Sequence, residues 1–239
     1  MKAEITLSAN AGVMIEYAGI KVLSDILHND NVPVFSSVPK YICKSITDKG
    51  AFSGAELFLV SHDHPDHYSR PLASEYMKNN KNTVAAAPFR FAERQIVFSG
   101  VTGKFKTFNT MVEYFRTPHE KQRVYADVKH YSYIVNIAGA KFAFFNDMSI
   151  EPEYMEQVLR GSCVDVAFIN FPWLTLKHGR KYLAEYLRAK NIVIYHLPIP
   201  VEDEYGYNAA EQKSLASLSL AETAVYTLNS PLMSIETEL

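Results

Sequence analysis

The sequence predicts an α/β (α+β) chain folded as a four-layer αββα sandwich, and two observations carry that expectation. The first is a pair of β-hairpins of the same style. One runs Val13-Met14-Ile15-Glu16-Tyr17, turns at Ala18-Gly19 and continues from Ile20 to Asp25; the other runs from Tyr131 to Ile137, turns at Ala138-Gly139-Ala140 and continues from Lys141 to Asp147. Strong β-formers flank a short glycine-containing turn in both, and both end in an aspartate. The second observation is the alternation of strand and helix patterns elsewhere, which places helices on the outside of sheets.

Taken in order, the first hairpin is followed by a stretch without periodicity, residues 26–54. His28, Asn29, Asp30, Asn31, Pro33, Ser36, Ser37 and Pro39 are loop chemistry, with Val32, Val34, Phe35 and Tyr41 interleaved. A connection of this length in a compact domain is usually a lid or binding loop, so Phe35 and Tyr41 are expected in a pocket wall and His28 at the surface. Glu56 to Val60 reads as a buried strand. Ser69-Arg70-Pro71 is an N-cap with proline in the first turn of a helix running through Met77. Thr83 to Ala87 is the next strand, and a second helix is expected from Pro88 to Gly100. Val101 to Phe115 reads as short strands split at Asn109-Thr110.

After the second hairpin, Glu151-Pro152-Glu153 opens a helix through Leu159 to Gly161, with acids placed favourably for the helix dipole. Val164 to Phe171 is a strand buried on both faces and ended by Pro172-Trp173. His178-Gly179-Arg180-Lys181 precedes a helix through Ala189 and reads as a solvated helix start; His130 is expected at the surface as well. Ile192 to Tyr195 is a last strand with His196 at its exit. Ala209 to Leu228 has the length and the Ala/Glu/Leu content of a terminal helix. With no Gly/Pro/Ser-rich linker, residues 1–239 read as a single domain.

Composition narrows the functional classes. Hydrophobic residues make up 48% and charged residues 21% of 239 residues, which suits a globule with a sizeable core. A formal charge of -2 gives no electrostatic footprint for nucleic acid or an anionic membrane. No stretch has the length and apolarity of a membrane span or a signal peptide. Cys43 and Cys163 are isolated, so neither a disulfide framework nor a thiolate metal site is expected, and a reducing cytoplasm is the simplest location.

The chemistry concentrates in Ser61-His62-Asp63-His64-Pro65-Asp66-His67, directly after the Glu56–Val60 strand. His62 and His64 are two apart, so an extended backbone points both the same way and lets them grip one ion. Asp66 and His67 come one turn later and could hold a second. Packing these groups together without a metal would cost desolvation.

This His-x-His-x-Asp-His spacing after an apolar strand resembles the metallo-β-lactamase superfamily of binuclear metallohydrolases. The resemblance implies that His62, His64 and His119 bind a first metal, and that Asp66, His67 and His196 bind a second. It also implies that Asp147 bridges the two and that Asp25 supports the metal loop from behind. Superfamily members commonly place glycine before the bridging aspartate. Here it is Asn146, a residue that tolerates a left-handed backbone. All seven ligands are N or O donors, which suits two Zn²⁺ ions and leaves Mn²⁺ or Fe²⁺ open.

The activity implied is hydrolysis of a small ester, lactone or phosphoester by activated hydroxide, with Asp66 ligating and orienting the nucleophile. Among small superfamily members the layout looks most like the ascorbate-6-phosphate lactonase-like hydrolases. A non-catalytic metal-dependent binding or sensing protein, or a nucleotide phosphodiesterase, would use the same fold. The expected partner is a small-molecule substrate, with neither nucleic acid nor membrane; the sequence leaves the oligomeric state open.

Overall fold

A computed structural model describes residues 1–239 except 29–31, 33, 49, 122, 151–162, 219 and 221. The helix expected from Glu151 through Leu159 to Gly161 lies outside the described residues. The strands are β1 Lys2–Leu7, β2 Val13–Tyr17, β3 Ile20–Ser24, β4 Leu57–Leu59, β5 Val84–Ala87, β6 Gln95–Val97 and β7 Thr102–Lys106. They continue with β8 Thr110–Arg116, β9 Tyr131–Ile137, β10 Ala140–Phe144, β11 Cys163–Ile169, β12 Arg188–Ile194, β13 Ala224–Thr227 and β14 Ser234–Glu238. The described helices are α1 Lys40–Thr47, α2 Arg70–Asn79, α3 Pro172–Thr175, α4 Lys177–Glu185 and α5 Tyr207–Ala216.

Among the described residues the strands form two seven-stranded sheets, ordered β14-β1-β2-β3-β4-β5-β6 and β13-β12-β11-β10-β9-β8-β7. Both expected hairpins are present, and their second strands open parallel runs: β3-β4-β5-β6 in one sheet and β10-β11-β12-β13 in the other. Parallel strands are covered on both faces, and the burial pattern shows it. Leu57 and Leu59 face the core shared by the two sheets, while Phe58 faces the α1/α2 side. In β11, Val166 and Phe168 face that shared core, and Ala167 and Ile169 face Trp173 and Tyr182 of α3 and α4. Phe144 and Phe168 stack at 4.2 Å between the sheets. The layers are therefore helix, sheet, sheet, helix, as the sequence predicts.

Four expectations about elements are corrected. Within residues 26–54, Lys40–Thr47 is a helix: Ile42, Cys43, Ile46 and Thr47 share one buried face at helical spacing, and Tyr41 is 70% exposed on the other. No helix follows Pro88. Gln95 accepts from the Phe91 and Ala92 backbone N–H groups and donates to the Phe89 carbonyl, holding an irregular loop that delivers β6 to β5. The helix from Lys177 stops at Glu185, because Arg188 already pairs with Cys163 as β12. The terminal helix ends at Ala216, and the β-forming run Ala224–Thr227 becomes an edge strand on β12. The sequence assigned no element to β1 or β14, which pair with each other across the whole chain length. Among the described residues no helix is long and apolar enough to cross a membrane.

Candidate metal centre

The strand ends of both sheets meet along one edge, where backbone bonds stitch them together. Tyr131 N–H donates to the Ser61 carbonyl (3.1 Å), His196 N–H to Asn10 (3.0 Å) and Glu120 N–H to Asp147 (2.7 Å). The turn after β4 is closed by the His67 and Tyr68 N–H groups donating to the His64 carbonyl. That turn returns Asp66 and His67 to the place reached by His62. His119 follows β8, Asp147 follows β10 and His196 follows β12.

The structure brings all seven expected ligands together. Two groups have ligand atoms within 4.8 Å of one another: His62, His64, His119 and Asp147; and Asp66, His67, Asp147 and His196. Asp147 belongs to both. Its Oδ2 lies 3.1 Å from His67 Nε2, 3.5 Å from His119 Nε2 and 3.9 Å from His62 Nε2. Its Oδ1 lies 3.4 Å from His196 Nε2 and accepts from Asn170 Nδ2 at 3.1 Å. Asp66 Oδ2 closes the second group, 3.6 Å from His196 Nε2 and 4.0 Å from His67 Nε2.

Hydrogen bonds behind the ligands fix which ring nitrogens carry protons. Asp25 is fully buried; its Oδ2 accepts from His67 Nδ1 (2.9 Å) and from the Ser61 hydroxyl (2.6 Å), and its Oδ1 accepts from Ser61 N–H (2.8 Å). With its proton given to Asp25, Ser61 Oγ accepts from His62 Nδ1 at 2.9 Å. His119 Nδ1 donates to the Glu120 carbonyl at 2.7 Å. All three rings thus keep Nδ1–H and turn Nε2 towards Asp147, where His62 and His119 present a lone pair. The Nε2 atoms of His62 and His119 are buried without a hydrogen-bond partner, and those of His67 and His196 face each other at 2.9 Å.

The electrostatics separate the rings: His62 stays neutral, while His67 holds a second proton where a cation would otherwise stand. Burial drives the His62 pKa well below its ordinary value, with the neighbouring His67 adding to the effect. Burial opposes charge on His67 too, but Asp147 and Asp66 overcome it and lift that pKa well above the ordinary value. Asp147 is held well below the usual carboxylate range because His196 and His67 outweigh its burial. Converging lone pairs beside two carboxylates call for a cation, and the donor set fits divalent metal. Cys43 and Cys163 are free and lie outside both groups.

Two histidines expected at the surface are buried here. His130 accepts from the Asp147 backbone N–H at Nε2 (3.1 Å), and its Nδ1 lies 2.7 Å from Thr117 Oγ1, so it holds the backbone that carries Asp147. His28 is fully buried with Nε2 3.3 Å from the Ala9 carbonyl, and burial lowers its pKa to about 4. No local pattern distinguishes either from a surface histidine, since their partners are distant in sequence. His178 is exposed on α4, as expected.

A cleft of about 400 Å³ opens over both groups. Val32 and Phe35 from the 26–54 stretch form part of its wall, but Tyr41 does not line it. Glu120, Lys121 and Tyr125, and the Asn170–Pro172 corner, complete walls that the sequence did not single out.

No protein-family model matches the sequence, and no curated protein matches it. Solved structures do. Igni18, a metallo hydrolase from the hyperthermophilic archaeon Ignicoccus hospitalis, superposes with a TM-score of 0.68 at 14% identity, covering 100% of both chains. The metallo-β-lactamase fold protein YhfI from Bacillus subtilis gives 0.60 at 12%, covering 99% of both chains. CmlA, a diiron β-hydroxylase from Streptomyces venezuelae, gives 0.61 at 10%, covering 99% of this chain and 54% of CmlA. The layered sheets, the strand-end histidines and these likenesses together identify the chain as having the metallo-β-lactamase fold.

Proposed function

We propose that the chain is a metal-dependent hydrolase with a binuclear centre. In this reading His62, His64 and His119 hold one divalent cation, Asp66, His67 and His196 hold the second, and Asp147 bridges them. The observation that carries it is the orphaned pair of lone pairs, His62 Nε2 and His119 Nε2, buried around the Asp147 carboxylate. Each buried acceptor left without a partner costs about 1–3 kcal/mol, and a cation removes that cost. Zn²⁺ suits the N/O donors best, with Mn²⁺ and Fe²⁺ as competitors.

When bound, such a pair supplies hydroxide at neutral pH, lowering the pKa of water from 15.7 towards about 7, and polarises the bond under attack. The protein's own groups do the rest. Asp66 lines the cleft and is placed to hold the attacking oxygen and accept its proton. Asp25 and Ser61 keep His67 and His62 in the metal-binding tautomer. His130 and Asn170 fix the backbone and carboxylate of Asp147.

The substrate is a small ester, lactone or phosphoester, in keeping with the resemblance to ascorbate-6-phosphate lactonase-like hydrolases, and the two free cysteines suit a cytoplasmic location. Metal analysis of the purified chain, alongside a screen of lactone, ester, phosphodiester and β-lactam substrates before and after chelation, tests the reading. Two metals per chain and turnover that is lost on chelation and restored by Zn²⁺ or Mn²⁺ are expected. Turnover that survives verified metal removal defeats this mechanism, and full metal loading with no turnover favours a binding protein.

A further inference from the structure

We propose that the cleft selects a carboxylic ester or lactone bearing a short apolar arm, in preference to a phosphoester; the proposal rests on the hydrolase reading above. The cleft has two chemically different ends. Over the first ligand group stands Tyr125, its ring centroid 4.8 Å from those of both His64 and His119, with Glu120 and Lys121 on the same loop. Beside the second group the wall is carbon. Phe35 meets the His196 ring edge-on at 4.4 Å, and Phe171 and Tyr207 pack edge-to-face at 5.1 Å.

This apolar wall is tied down by polar bonds. Ile199 N–H donates to Ser36 Oγ at 2.7 Å, linking the Phe35 loop to the segment after His196. Asn208 Nδ2 donates to the Pro198 carbonyl at 2.9 Å, fixing the start of α5 beside it. A wall held in place loses little entropy on binding, so carbon placed against it is rewarded. The volume, about 400 Å³, is small for a ligand site, which keeps the arm short.

Beyond the metal centre, the side chains give a phosphoester little to hold. Lys121 is the only cation among the described residues lining the cleft, against Asp66, Glu120 and Asp147. A phosphoester brings one or two full charges, and proteins that read phosphate oxygens by side chain favour forked Arg or clustered Lys donors. A carbonyl ester is uncharged at the reacting centre and needs neither. The reaction balances as ester plus water giving carboxylate, alcohol and a proton. The water oxygen bonds to the carbonyl carbon after losing one proton. The acyl–oxygen bond then breaks with its electron pair going to the alkoxide, which takes the second proton.

The test uses the metal-loaded full chain with p-nitrophenyl acetate, butyrate and hexanoate, and with bis(p-nitrophenyl) phosphate. Acetate, butyrate and hexanoate are titrated calorimetrically as product carboxylates. We expect kcat/KM and carboxylate affinity to rise by about threefold to fourfold per added methylene until the cleft is full, with the phosphate diester turned over far more slowly. Phe35→Ala and Phe171→Ala should flatten both slopes at unchanged metal content. Tyr41→Ala, on the exposed face of α1, should leave both slopes as they are. Slopes already flat in the unsubstituted chain, or a diester that outpaces the esters, overturn the proposal while the hydrolase reading stands. If no probe is turned over, it is the hydrolase reading that falls, and the carboxylate slope still decides whether the cleft takes an apolar arm.

Discussion

Replacing Asp25 with asparagine tests whether the groups behind the ligands set the metal affinity. The carboxylate accepts three hydrogen bonds in a fully buried position, two from Ser61 and one from His67. Asparagine tolerates the left-handed backbone there, φ 50°. With its oxygen in the place of Oδ2 it still accepts from the Ser61 hydroxyl and His67 Nδ1. Its NH₂ then faces the Ser61 N–H, and one buried donor pair goes unsatisfied, costing about 1–3 kcal/mol of stability. The opposite orientation loses two bonds and is worse. The anion that makes His67 a stronger ligand is gone in either case, and changes of this kind lower metal affinity by about 10–100-fold. Competition with a chromophoric chelator for Zn²⁺ measures the affinity, and thermal melts of the metal-free chain measure the stability. A variant destabilised as stated but binding Zn²⁺ as tightly as the unsubstituted chain would refute the reasoning.

The remaining predictions concern the carboxylate between the groups, its backbone and one buried histidine. Asp147→Ala should lower occupancy of at least one metal site and cut turnover by several orders of magnitude with the fold retained; two-metal occupancy with native turnover, measured on one preparation, would remove Asp147 from the site. Asn146→Gly relieves left-handed strain but strands the Tyr195 hydroxyl and the Tyr131 carbonyl, so a net loss of about 1 kcal/mol is expected in urea melts. His28, at about 4 when folded against 6.5 as its ordinary value, binds its proton first in the unfolded chain. Stability should therefore fall as pH drops from 6.5 to 4, by about 3 kcal/mol in total. Urea melts across that window should show the loss shrinking in His28→Phe; parallel curves would contradict it.

What the sequence discloses about the site is what chemistry writes locally. His62, His64, Asp66 and His67 declare themselves by spacing, whereas His119, Asp147 and His196, single residues past strands, are picked out only by the resemblance to the superfamily. The two hairpins disclose both sheets. His28 and His130 are illegible for the opposite reason: their burial depends on contacts with Ala9 and with the Asp147 backbone, which no window around either residue contains. The segment after Pro88 misleads because its apolar residues serve a parallel strand whose loop is held by Gln95, a side-chain bond without a periodic signature. β14 is silent because its pairing with β1 joins Lys2 to Glu238. Helix α1 is legible in hindsight, since Ile42 and Ile46 lie one turn apart, but the loop residues around it mask a two-turn amphipathic stretch.

The departure at Asn146 belongs to a wider pattern. Asp25, Asn146 and His196 all have positive φ, at 50°, 50° and 59°, and all stand just past the strands that end at Ser24, Phe144 and Ile194. A left-handed residue breaks the extended backbone and so turns the chain out of each strand. For a non-glycine residue the conformation costs about 1–2 kcal/mol, and it persists only where neighbours over-determine it. Each of the three is so determined. Asp25 is bonded to Ser61 and His67, and the His196 backbone is bonded to Asn10. Asn146 is bonded to Tyr131 and Tyr195, which ties the exit of β10 to that of β12. Glycine would make the same turn without strain but could not form that tie. Asparagine therefore costs conformational energy and gains a tie between the exits of β10 and β12, which carry Asp147 and His196, two residues proposed to reach the metals from different strands.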